Sequence, residues 1–188
     1  DHASNMISAG DKGLSNRLKS DFPHIFVTHD YAHSYNLILK EGISRFPSEL
    51  VAIVTDLCNY FAASPQRKSR FIEFQLSIGM EKPLEILSWI RTRWLSFRDA
   101  LDRILTLITP VSLYFDQHGN KRQKDYFADA NIVSLHVLSC LVNKIGHYIE
   151  YFEHEELTNE AIARKIRESV IIVSDLVLNL PDVEMTAI

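Results

Sequence analysis

The chain has 188 residues, 46% of them hydrophobic and 23% charged, with a formal net charge of −4. That is length enough to bury one good core, and the composition excludes disorder as the default state and any global attraction to polyanions. Only Cys58 and Cys140 are available for disulfides, and both sit in apolar helical patterns that suit buried thiols in a reducing compartment. No apolar run reaches the roughly 20 residues that cross a bilayer, because Ser174 and Asp175 interrupt Val170 to Leu178, so a membrane protein is not expected. The chain opens at Asp1 with no secretory signal and reads as cut from something longer.

In chain order, Gly10, Gly13, Leu14 and Leu18 mark a short helix ending near Pro23. Ile25-Phe26-Val27-Thr28 is a compact β-prone run and the single good strand candidate. Tyr31 to Gly42 reads as a helix with Leu37 and Ile38 apolar and Gly42 as its stop. From Pro47 onward the pattern is helical. Leu50, Val54, Leu57 and Phe61 form one stripe, and Ser64-Pro65 opens the next helix.

Ser96 and Asp99 have capping-box spacing ahead of Phe97, Leu101, Ile104 and Ile108, and Pro110 is expected to end or kink that helix. Asp116 to Lys124, with Gly119-Asn120, is the best loop. Leu135, Leu138, Val142, Ile145, Ile149 and Phe152 then repeat by three and four, and a last helix uses Ile162, Ile166, Val170, Val173 and Val177. The expected fold is mostly α: a small α/β corner over residues 1–42, with too few strands to close a sheet, and a helical bundle over 43–188.

Charge is unevenly placed. Ser64 to Arg98 carries seven basic against three acidic residues, and Ile149 to the end carries three against nine. A basic middle permits a local phosphate contact, and two solvated helix faces explain the same asymmetry equally well.

Candidate chemistry is sparse. His29 and His33 stand four apart with Asp30 between them, but a zinc-protease helix needs glutamate at the base position and a third ligand. A strand-end histidine and a packed one are expected there, without zinc. His147, Glu150 and His154 read as a solvated acidic helix end. No phosphate-binding glycine loop, Cys-x-x-Cys pair or nucleophile elbow is present. Arg91-Thr92-Arg93-Trp94-Leu95-Ser96 sets a tryptophan between arginines. Such a segment can hold phosphate while the ring stacks on a base, or the ring can anchor a core.

In this order the pieces resemble the hAT superfamily of DNA transposases and the cellular proteins derived from them. Asp1 to Met6 is similar to the family's Asp-x-Ala-x-Asn-Met turn, through Asp1, Ala3, Asn5 and Met6. Phe22 to Leu39 resembles the next strand and the Cys-x-x-His-x-x-Asn-Leu helix, with Asp30, His33, Asn36 and Leu37 at its positions and aspartate in place of the cysteine. Tyr60-Phe61, Ser64-Pro65-Gln66-Arg67 and Thr92-Arg93-Trp94-Leu95-Ser96 follow in the family's order. The resemblance covers residues 1 to about 115 and beyond that only helical character agrees.

It implies that Asp1 is the second acidic residue, and a metal ligand, of an RNase H-like site. Such a site uses three carboxylates around paired Mg or Mn ions. The other two carboxylates cannot be assigned within this chain, so the chain alone is expected to be inactive and to hold no metal. It further implies DNA contact through Trp94, which matches the residue that stabilises a flipped base, with Arg91, Arg93 and Arg98 on phosphates. The parent is expected in the nucleus, either as a transposase or as a domesticated DNA-binding or protein-interaction scaffold, with DNA as partner, possible self-association through a region outside this chain, and no membrane.

Overall fold

A computed structural model describes residues 14–24, 30–90, 94–154 and 158–179. Among these the structure is helical: α1 (Leu14–Asp21), α2 (Tyr31–Ser44), α3 (Ser48–Ala62), α4 (Pro65–Ser77), α5 (Trp94–Thr106), α6 (Ile108–His118), α7 (Lys121–Asp125), α8 (Asp129–His154) and α9 (Asn159–Asn179). The strand candidate Ile25 to Thr28 lies outside the described residues, as do His29, Asp1 and Asn5.

The helices begin where local chemistry satisfies their orphan amides. Asp30 caps α2, its Oδ1 accepting from His33 N at 2.9 Å, and Ser64 caps α4 with Pro65 at the first turn, where its missing N–H costs nothing. The α2 helix runs two residues past Gly42, to Ser44. Its buried face is Ala32, Tyr35, Leu39 and Ile43, while Leu37 and Ile38 are exposed. A three-and-four register allows only one of those sets to face the core.

At the centre lies α8, packed on α2 and α5, and on α3 and α9 at its margins. Leu135, Leu138, Val142, Ile145 and Ile149 are buried as their periodicity predicts. By length and mean hydropathy Asp129–Glu153 is apolar enough to cross a membrane, a property that the continuous apolar runs of the sequence do not reveal; here its apolar stripe lines the core. Tyr35 stacks on Tyr148 and Phe152 with ring centroids 5.5 and 5.3 Å away, fastening α2 antiparallel to α8. The expected boundary after Gly42 falls inside α2, whose Tyr35, Leu39 and Ile43 share one core with α3, α5 and α8.

Several local expectations are corrected. Ser96 lies inside α5, which already begins at Trp94, and its hydroxyl bonds both Ile90 N and Ile90 O, at 3.0 and 3.1 Å. It therefore ties the preceding segment down instead of capping the helix. The break expected from Pro110 is present: α5 ends at Thr106, four residues before it, and Pro110 sits in the first turn of α6, where a residue without N–H is tolerated. The loop at 116–124 shrinks to Gly119 and Asn120, because Asn120 and Gln123 form a capping box that opens α7.

Along α9, Val170 is 58% exposed, whereas Ser169 is buried and hydrogen-bonded to the Tyr35 hydroxyl. Cys140 is exposed, unlike Cys58.

Between α4 and α5 the chain runs without helix from Met80 to Ile90. Side chains hold this strap down: Gln75 at Leu84, Arg103 at the Glu85 carbonyl, and Ser96 at Ile90. Ile86 enters the core and Trp89 meets Phe97 edge to face, with centroids 5.1 Å apart.

Candidate nucleic-acid interface

The strap delivers the chain to the start of α5. Ile90, the last described residue of the strap, is 51% exposed. Arg91 and Arg93 lie outside the described residues, as does the side chain of Trp94, whose backbone opens α5. Ser96 fixes Ile90 from the far side of this stretch.

Arg98, unlike its three neighbours in the expected site, has a described side chain. Its Nη2 donates to Glu150 Oε1 at 2.6 Å and to Asp99 Oδ1 at 3.0 Å, and its side chain is only 16% exposed. The bond to Glu150, with Asp99 beside it, holds the guanidinium charged well above its ordinary range despite burial. Its stem crosses Gly146, where an added Cβ would lie 3.1 Å from Arg98 Cδ. Arg98 thus clamps the N-terminal part of α5 onto α8. Glu150, read from the sequence as solvated, is the other half of that clamp, while His147 is exposed.

Asp30 and His33 are joined by the N-cap hydrogen bond. That donated amide draws the Asp30 carboxyl below its ordinary value. Among the described residues no group of three His, Cys, Asp or Glu side chains could hold a metal ion. Asn36 Nδ2 donates to Ala32 O at 3.0 Å within α2.

Two motif pieces separated in sequence come together. The Arg67 guanidinium lies 4.4 Å from the Tyr60 ring centroid, and its Nη1 donates to Tyr60 O at 3.1 Å. Beside this pair, α3, α4 and α6 frame an open cleft of about 540 Å³, lined by Tyr60, Arg70, Glu73, Phe74, Ser77, Tyr114 and His118. Burial pushes the Tyr114 hydroxyl up to about 12, with the Tyr60 hydroxyl as a second cause. Sequence reasoning missed this cleft because its residues come from three helices. Only the density of aromatics around basic residues in 60–74 hinted at it.

No protein-family model, curated protein or solved structure matches the chain.

Proposed function

We propose that this chain is part of a hAT-like DNA transposase, contributing the second acidic motif of an RNase H-like core and much of a helical insertion domain that contacts DNA. The observation that carries the reading is the order of its motifs: Asp1 to Met6, Asp30 to Leu37, Tyr60 to Arg67, then Thr92 to Ser96.

The local structure is compatible with it. Aspartate can replace the family's cysteine at position 30 because that position is a helix N-cap, where aspartate is among the best residues. The α5 start is clamped by Arg98 and pinned by Ser96, a rigid base for a stacking residue. In this reading Trp94 stacks on an unpaired base and Arg91 and Arg93 meet phosphates, while Arg98 positions the helix. Asp1 needs carboxylates from outside the chain before metal-assisted strand cleavage is possible.

The test is titration with hairpin and single-stranded DNA, comparing wild type, Trp94→Ala and Arg93→Ala after circular dichroism has checked folding. Stacking is worth about 1 to 3 kcal/mol per base, so Trp94→Ala should weaken binding by about fivefold or more, and Arg93→Ala should flatten its salt dependence. Equal binding by all three proteins refutes the assignment.

A further inference from the structure

The cleft between α3, α4 and α6 has three rings in mutual contact. Tyr114 lies 4.9 Å from His118 and 5.5 Å from Phe74, and Phe74 and His118 stand nearly perpendicular, 6.4 Å apart. Tyr114 is buried and forms the floor, whereas His118 is exposed at the mouth. At about 540 Å³ the space falls within the range of small-ligand sites, about 300 to 1,000 Å³.

Arg70 stands on the rim, where its charge reaches the Tyr114 hydroxyl. Arg67, Arg98, Arg103 and Arg122 each bind a carbonyl or carboxylate of another turn or helix. Arg70 is exposed and has no hydrogen bond or ion pair among the described residues. An exposed guanidinium beside a cluster of rings is the pairing that takes a phosphate and its base together.

We infer that this cleft binds one nucleotide of a single-stranded nucleic acid, its base against His118 and Phe74 over Tyr114 and its phosphate on Arg70. Glu73, the one carboxylate in the lining, repels a bare anion but accepts a hydrogen bond from the exocyclic amine of a base such as cytosine. A base inside a duplex is stacked and cannot enter a concave site, whereas a single strand can splay its bases. Arg67, held over Tyr60, fixes the wall that the base meets. The inference is carried by the cleft's own geometry, although Tyr60 and Arg67 also belong to the motif pieces, and the cleft stands on different helices from the α5 segment.

The test is fluorescence-anisotropy titration of the full chain with a short labelled oligodeoxycytidine, with inorganic phosphate and the corresponding duplex as competitors. Wild type, Arg70→Gln, His118→Ala and Trp94→Ala are compared, and a photoreactive strand is then crosslinked and its peptides identified. Arg70 and His118 are both exposed, so their variants should keep the wild-type thermal midpoint.

The expected result is about a tenfold loss of single-strand affinity in Arg70→Gln and in His118→Ala, with crosslinks in α4 or α6. Loss confined to Trp94→Ala, with crosslinks near α5 alone, overturns the cleft site and leaves the proposed function standing. Loss in the two cleft variants with Trp94→Ala unchanged supports the cleft and removes the α5 contact. Equal competition by inorganic phosphate or duplex overturns recognition of a base, and absence of binding by wild type overturns both sites.

Discussion

The Gln75 side chain and the Leu84 backbone exchange two hydrogen bonds: Gln75 Nε2 donates to Leu84 O and Leu84 N donates to Gln75 Oε1, each at 2.9 Å. A helix side chain thereby plays the part of a neighbouring strand for one residue of the strap. Gln75 is fully buried, so its amide has no water to fall back on. Gln75→Leu should cost about 1 to 3 kcal/mol for the orphaned backbone groups. A lowered urea midpoint together with faster hydrogen exchange at the Leu84 amide would show it; unchanged exchange there would mean that the strap is held by other contacts.

Asp30 gives a pH-dependent prediction. Its carboxyl is drawn below its ordinary value by the His33 amide, so the stabilisation is complete above the unfolded value, about 3.9, and is lost as pH falls through the lower folded value. Asp30→Ala should cost about 1 kcal/mol at neutral pH. Asp30→Ser should recover most of that, and Asp30→Cys, which restores the family's residue, should not. Chemical denaturation from pH 2 to 7 should show the wild-type advantage over Asp30→Ala vanishing at the acid end.

Two glycines should respond with opposite sign. At Gly119 an added Cβ would lie 2.5 Å from Phe115 O and 3.0 Å from Phe115 Cδ1. Backbone cannot yield cheaply there, so Gly119→Ala should destabilise by about 1 to 3 kcal/mol. Gly42 is inside α2, and a Cβ there meets only Leu141 Cδ2 at 3.5 Å, so Gly42→Ala should stabilise by about 0.5 to 1 kcal/mol. Thermal midpoints of the two variants moving in the same direction would contradict this.

The two thiols should differ in reactivity. Cys58 is buried, and desolvation pushes its thiol up to about 11, whereas Cys140 is exposed. A thiol-specific reagent at pH 8 should modify Cys140 in the native protein and both only after denaturation. Rapid labelling of Cys58 without denaturant would indicate that α3 opens locally.

At the junction of α5 and α8, Glu150 is 42% exposed, so Glu150→Gln should cost no more than about 1 kcal/mol. Arg98→Ala also removes the stem packed across Gly146 and should cost about 1 to 2 kcal/mol. Equal midpoints for the two variants would limit the role of Arg98 to its charge.

By itself the sequence determined the helical stripes of α3 and α8. Leu50, Val54, Leu57 and Phe61, and Leu135 through Ile149, are buried in the register their spacing predicts, because periodicity is a property of one helix and needs no partner to be read. Ser64-Pro65 likewise marked a real helix start, since capping is settled within one turn. Tertiary structure alone decided which helix faces remain exposed, as at Leu37, Ile38, Val170 and Cys140. It also decided where isolated polar side chains find partners: Gln75 with Leu84, Ser96 with Ile90, Arg98 with Glu150. The cleft of Tyr60, Arg70, Phe74, Tyr114 and His118 belongs to the same class, because those contacts join elements whose mutual placement is fixed by packing of the whole core, and no local pattern records it.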